Sequence, residues 1–217
     1  MSQHPPPTAP GTRFGDAAGT WNHRFAGHSY LFGTAPNVWL TGQAQRLPAA
    51  SRLLCVADGE GRNSVWLAQL GHRVSAFDIA EQGLAKARAL ARQAGVAVDF
   101  SLADVDGFDW PQATLDAVVA VFVQFADPVQ RARLFTRMAQ ALKPGGLLLL
   151  QGYTPQQLVY KTGGPPHLSH LYTEALLREE FAALDILQLE CYEAVLDEGA
   201  GHSGRSALIG LVARRKP

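Results

Sequence analysis

The sequence predicts an α/β fold: a mostly parallel seven-stranded sheet with an antiparallel strand at its edge and helices on both faces. Three observations predict it. From residue 52 to residue 152, short apolar runs alternate with stretches of helical periodicity. The first apolar run ends in a glycine turn, Asp58-Gly59-Glu60-Gly61, that opens a helix. Two later runs, 184–195 and 206–214, are joined only by the turn-rich Asp197-Glu198-Gly199-Ala200-Gly201, which reads as a hairpin.

Residues 1–13 carry Pro5-Pro6-Pro7 and Pro10 and are expected to form a disordered tail. They lack the basic start and apolar run of a targeting segment. Residues 14–217 are expected to form one domain, with 14–48 a helical lid segment rich in aromatics: Phe14, Trp21, Phe25, Tyr30, Phe32 and Trp39. Within it, a short helix over 17–26 precedes a loop through Gly33 and Pro36, and Asn37 caps a helix over 37–46. Pro48 then breaks the chain before the sheet.

The sheet region reads as strand 52–57, helix 62–70, strand 73–78, helix 80–94 and strand 97–101. Strand 115–121, helix 128–142 and strand 146–152 follow. Asp127-Pro128 opens that helix with a carboxylate cap and a proline at its first position, and Lys143-Pro144-Gly145-Gly146 ends it. Apolar strands separated by helices call for a parallel sheet buried on both sides. Residues 153–161 and 173–181 look helical before the terminal hairpin.

Bulk composition narrows the function. With 19 basic and 19 acidic side chains the formal charge is zero, so there is no electrostatic footprint for nucleic acid or an anionic membrane. The apolar runs 117–123 and 147–150 fall far below the ~18 residues that span a bilayer. Two cysteines, Cys55 and Cys191, supply no disulfide framework and suggest a reducing compartment. These features point to a cytoplasmic protein, monomer or homodimer, with a small-molecule partner.

The glycine turn and Asp78, at the end of the second strand, form a unit that holds a nucleoside. Gly59 and Gly61 let backbone approach a ligand, and Asp78 can accept hydrogen bonds from both hydroxyls of a ribose. The unit alone leaves the cofactor open. A dinucleotide fingerprint wants a third glycine or alanine where Ser64 stands, so an NAD-dependent oxidoreductase is an incomplete match.

The wider set of motifs is more specific. Cys55 to Asn63 resembles the first motif of class I S-adenosylmethionine-dependent methyltransferases, and Ala76-Phe77-Asp78-Ile79 their second. Ala103-Asp104-Val105, Leu115-Asp116-Ala117-Val118 and Leu142-Lys143-Pro144-Gly145-Gly146 are similar to the later segments. Tyr30-Leu31-Phe32-Gly33-Thr34-Ala35-Pro36-Asn37 resembles the N-terminal motif of small bacterial enzymes related to the tellurite-resistance methyltransferases. Cys55 stands where the family has its acidic residue, and Ala57 where it has its first glycine.

That resemblance implies a single Rossmann-like methyltransferase domain with S-adenosylmethionine as cofactor. By it, Asp78 holds the ribose, and Asp104 meets the adenine between Val105 and Ile79. Ala57, Asp58 and Gly59 meet the methionine end, with Asp58 supplying the carboxylate for its ammonium and Arg24 pairing with its carboxylate. Tyr30 and Phe122 complete the cofactor set. Phe32, Trp39, Gln124, Tyr153, His167 and Tyr172 are the expected acceptor-side residues. No side chain is singled out as catalytic, because a soft acceptor such as a thiol or chalcogen oxyanion needs little general base. His167, His170 and His202 are expected to be loop histidines rather than a metal site. The other functional class is a non-catalytic cofactor-binding protein, motivated by Cys55 and Ala57.

Overall fold

The computed structural model describes residues 16–217. The tail expected over 1–13, and Phe14, lie outside the described residues. Seven strands form one sheet: β1 (Arg52–Val56), β2 (Arg73–Asp78), β3 (Asp99–Leu102), β4 (Leu115–Val121), β5 (Leu142–Tyr153), β6 (Leu184–Asp197) and β7 (Ser203–Arg215). Their order is β3-β2-β1-β4-β5-β7-β6, parallel from β3 to β5. The antiparallel strand at that edge is β7, inserted between β5 and β6. The helices are α1 (Ala17–Phe25), α2 (Val38–Gln43), α3 (Arg62–Gln69), α4 (Glu81–Ala94), α5 (Pro128–Ala141), α6 (Gln157–Tyr160) and α7 (Glu174–Glu180).

The period of two along a strand explains why the central strands look uniformly apolar. Leu54 and Val56 of β1 point to one face, where Leu134, Phe135 and Met138 of α5 and Leu177 of α7 cover them. Leu53 and Cys55 point to the other, against Leu67 and Ala68 of α3 and Trp39 and Leu40 of α2. Both faces are buried, so neither set can be polar. Side-chain oxygens cap the helices at Asn37 and Asp127 as the sequence suggests, and at Thr173 as well. Asn37 accepts from the Leu40 amide at 2.9 Å, Asp127 from Gln130 at 2.8 Å and Thr173 from Leu176 at 3.1 Å.

Three boundaries differ from expectation. β5 begins at Leu142, so Lys143-Pro144-Gly145-Gly146 lies inside the strand as an irregularity in its pairing with β4 between Leu115 and Ala117. The stretch after Tyr153 is helical for one turn only. Tyr153 stays paired with Leu208, and the Thr154 amide donates to the Ala207 carbonyl at 2.9 Å, so sheet bonds occupy the backbone a helix would need. β6 and β7 are longer than expected because their pairing continues to Asp197 and Ser203, which carries residues 198–202 up to the carboxyl ends of the parallel strands.

Strand order reverses between β1 and β4, and in open α/β sheets the crevice beyond those strand ends is where ligands bind. The turn after β1 is fixed by packing. Gly61 begins α3 at φ +90°, and a Cβ there would stand 2.7 Å from the Ala87 Cβ of α4. Its demand for glycine therefore comes from the α3–α4 contact. Among the described residues no helix is long and apolar enough to cross a membrane.

Gly61→Ala is expected to destabilise the fold by about 2–4 kcal/mol, combining left-handed strain with overpacking. In urea unfolding, adding Ala87→Gly should recover little of the loss, because the residue 87 Cα would still stand 2.8 Å from the new Cβ. An unchanged midpoint for Gly61→Ala would remove this account of the turn.

Candidate functional site

A cavity of about 480 Å³ opens at the carboxyl ends of β1, β2 and β4. Of the residues expected at a cofactor, Arg24, Ala57, Asp58, Gly59, Asp78, Ile79, Asp104, Val105 and Phe122 line it. Phe32, Gln124 and Tyr153 of the acceptor set line it as well. Gly61 does not, which corrects its expected ligand-facing role.

The floor is built from strand ends. Asp78 Oδ2 accepts from the Gly59 amide at 2.9 Å, and Oδ1 from the Ala80 amide at 2.8 Å. These bonds pin the glycine turn to β2, the Ile79 amide adds a third, and the remaining acceptor capacity of the carboxylate is what a ligand can use. Burial raises the Asp78 carboxyl despite them. Asp58 lies beside it on the floor, less covered than Asp78. Desolvation pushes its pKa up to about 7, with the Asp78 charge adding to the rise and a 2.5 Å hydrogen bond from the Ser64 hydroxyl opposing it. Ala57 and Phe122 leave β1 and β4 at φ +47° and +58°, left-handed conformations that cost a residue with a Cβ about 1–2 kcal/mol. Asp104 accepts from the Gly107 amide at 2.6 Å, so one oxygen serves its own turn. Cys55 is a fully buried thiol on the cavity floor, its pKa raised by desolvation and by the neighbouring Asp58.

The roof comes from the N-terminal segment and the β6–β7 loop. Arg24 lies over Trp21, its guanidinium carbon 4.4 Å from the ring centroid, and makes no ion pair among the described residues. Buried Glu60 accepts from the Leu31 amide at 2.7 Å and from Lys86 at 2.7 Å, which clamps the loop carrying Phe32. Gly201 donates its amide to the Leu31 carbonyl at 3.0 Å, joining that loop to the hairpin.

Glu198 holds the assembly. Its carboxylate pairs with Arg62 at 2.7 Å and accepts from Asn37 Nδ2 at 3.0 Å and the Val38 amide at 3.1 Å. Asn37 also donates to Gln151 Oε1 at 2.8 Å, and its amide donates to Asn63 Oδ1 at 2.9 Å. His202 follows in the same loop, with ring centroids 4.4 Å from Phe32 and 4.1 Å from Phe122. Burial and the charges of Arg62 and Arg24 push the His202 pKa down to about 3, so its ring is neutral. Neither Glu198 nor His202 belonged to the expected site. In sequence they read as hairpin polar residues, and only long-range packing buries them.

Four expected residues stand elsewhere. Tyr30 turns outward, its hydroxyl donating to the Lys86 carbonyl at 3.2 Å, because Glu60 fixes the neighbouring backbone. Trp39 is buried under the sheet, its ring filling the space above Gly210. Tyr172 is a core residue against Phe135. His167 is exposed beside His170. None of the four lines the cavity. Gln124 does, but its side chain is committed to backbone. Nε2 donates to the Tyr153 and His170 carbonyls and Oε1 accepts from the Tyr153 amide, so it positions Tyr153. Among the described residues no three His, Cys, Asp or Glu side chains converge on a metal site.

Residues 53–146 match a family model described as a methyltransferase domain. The chain is 32% identical over 127 residues to a ubiquinone biosynthesis O-methyltransferase of Xanthomonas axonopodis pv. citri, covering 57% of this chain and 53% of that one. It therefore spans about half the length of that curated relative. Among solved structures, N-methyltransferase NodS from Bradyrhizobium japonicum in complex with S-adenosyl-L-homocysteine superposes at a TM-score of 0.71. Its identity is 15%, over 92% of this chain and 98% of that one. TehB from Haemophilus influenzae superposes at 0.68 with 20% identity, over 84% of this chain and 63% of that one. At these identities the structural likeness carries the fold alone. The family resemblance read from the motifs stands on these matches.

Glu198→Ala strands a buried Arg62 charge and should destabilise the fold by about 3–5 kcal/mol. Glu198→Gln, which keeps acceptors for Asn37 and Val38, should lose less. Equal urea midpoints for wild type and Glu198→Ala would show that the pair holds nothing together.

Proposed function

We propose that this chain, built on the class I methyltransferase fold, transfers a methyl group from S-adenosylmethionine to a small-molecule acceptor. The observation that carries the proposal is the convergence of Asp78, Asp58, Arg24 and Asp104 on one cavity at the β1–β4 switch point. The fit is chemical. Asp78 lines the cavity with acceptor capacity left for a ribose, and Ile79 and Val105 offer apolar walls for an adenine whose amino group Asp104 can meet. Arg24, exposed at the cavity rim and without an ion pair among the described residues, suits the methionine carboxylate. Asp58 suits the ammonium, and Ala57 and Gly59 pass their backbone beside it.

When bound, S-adenosylmethionine supplies an activated methyl on a sulfonium, whose bond to carbon breaks with the electron pair staying on sulfur. The chain's task is then to align the acceptor behind that methyl, exclude water and accommodate any proton released. Among the described residues the cavity holds no strong base free to act. His202 is pushed down to about 3, the Tyr153 phenol is raised by burial, and Asp58 is committed to Ser64 and the cofactor. This favours a soft nucleophile, such as a thiol or chalcogen oxyanion, that reacts without general-base help. Oxygen methylation is the second reading, suggested by the name of the curated relative. It requires an acceptor already ionised in solution.

Calorimetry should find S-adenosylmethionine and S-adenosylhomocysteine binding, and NAD not binding. Tight NAD binding without the methyl donor would sink the proposal. Asp78→Ala should weaken donor binding about a hundredfold, the loss of two charge-assisted hydrogen bonds. Unchanged affinity would place the ribose elsewhere.

Asp58 gives the pH dependence. Its free-state carboxyl, near 7, must be ionised to meet an ammonium, so donor affinity should rise with pH through that value. The rise between pH 6 and 7.5 is roughly eightfold. Asp58→Asn should flatten it; a slope that persists in this variant would assign the titration to another group.

A further inference from the structure

Taking methyl transfer as the premise, we propose that Asn63 binds the methyl acceptor through its Nδ2 donor and takes it as an anion, a thiolate on a small carbon frame. Asn63 is the second residue of α3, is 8% exposed, and lines the cavity. Its Oδ1 accepts from the Asn37 backbone amide at 2.9 Å, and that bond decides which way the side-chain amide faces. Asn37 is itself held by Gln151 at 2.8 Å and by Glu198, so the two ends of the Asn63 amide are not free to exchange. Nδ2 is left with no hydrogen-bond partner among the described residues. Unlike the sealed unpartnered atoms of the core, such as Tyr172 Oη, it keeps accessible surface, and the cavity is what the residue lines. A buried side chain anchored at one end and open at the other is a donor awaiting a ligand.

Position decides which ligand it meets. Asp78 and Asp104 follow β2 and β3, the side of the sheet assigned to the ribose and adenine. Asn63 leans the other way, because its partner Asn37 reaches Gln151 of β5. On that side Val121, Phe122, Tyr153, Pro165 and Pro166 complete the wall. Asn63 therefore stands on the acceptor half.

The chemistry of the donor narrows the acceptor. An N–H pairs with a lone pair, and pairs far more strongly when that lone pair belongs to an anion. No fixed charge nearby competes for it: Arg62 is paired with Glu198 at 2.7 Å, the His202 ring is neutral, and Asp58 and Arg24 are assigned to the cofactor ammonium and carboxylate. One donor among largely apolar walls suits a thiolate on a carbon frame better than a chalcogen oxyanion, whose several oxygens would each need a partner. The acceptor proton leaves to solvent before binding. The thiolate lone pair then forms the bond to the methyl carbon as the sulfonium carbon–sulfur bond breaks with its electron pair, and no base is required.

The test uses the full chain, with S-adenosylhomocysteine binding measured first; its failure overturns the methyl-transfer premise and the role of Asn63 with it. Nitrothiophenolate and its neutral S-methyl ether are then titrated into the S-adenosylhomocysteine complex at mildly alkaline pH. Wild type should bind the thiolate about tenfold more tightly than the ether, the worth of one hydrogen bond to a charged group. That comparison needs no variant to fold. Asn63→Ala should erase the preference. Asn63→Asp keeps the acceptor for Asn37 but replaces the donor with a negative end, and should reverse it. Both variants should hold S-adenosylhomocysteine within about twofold of wild type. With S-adenosylhomocysteine bound, equal binding of thiolate and ether by wild type overturns the inference, as does a preference that survives in both variants. A loss of S-adenosylhomocysteine matching the loss of thiolate overturns it too, because the donor would then serve the cofactor.

Discussion

The Arg62–Glu198 ion pair is the contact on which the rest of the site depends. It joins three parts of the chain that are remote in sequence: the start of α3, the loop between β6 and β7, and, through Asn37 and Val38, the N-terminal segment. A buried charge pair survives only when its remaining hydrogen-bonding capacity is filled, and here backbone and side-chain amides fill it. The consequence is geometric. The sheet supplies the floor of the cavity by itself, and the Glu198 carboxylate, with the Glu60 clamp beside it, ties the roof loops to the helix that begins at the glycine turn.

The sheet was legible because its information is local and repeated. Central strands such as Leu53–Val56 are apolar on both faces, and the turn Asp58 to Gly61 and the cap Asp127-Pro128 that follow such strands can be read in place. The differences lie where tertiary pairing overrides local signals. Lys143-Pro144-Gly145-Gly146 has turn composition, yet the pairing of β5 with β4 absorbs it as an irregularity. The segment after Tyr153 has helical composition, yet Thr154 bonds to Ala207 and holds the backbone extended. No local window contains either partner.

The same division runs through the site. Asp58, Gly59, Asp78 and Asp104 were legible as ligand-facing candidates because they close strands, and a strand end in this topology faces the crevice. Glu198 and His202 were not, since a charged residue and a histidine among glycines read as solvated loop. Their burial depends on Arg62 and Phe32, far away in sequence. Tyr30 and Trp39 show the converse. An aromatic-rich segment announces that something is covered, but rotation of each side chain decides whether it covers ligand or sheet, and Glu60 and Gly210 make that decision here.

The placement of β7 also orders the birth of the site. A chain emerging from synthesis presents the β1 turn, Asp78 and Phe122 well before it presents Glu198, His202 and the strand that fits between β5 and β6. Until that strand inserts, β5 is an open edge and the roof lacks its tie through Glu198. Any nucleoside met by the nascent chain would rest on a bare floor, exposed to water. The part of the roof that Glu198 and His202 supply therefore arrives last, with closure of the sheet.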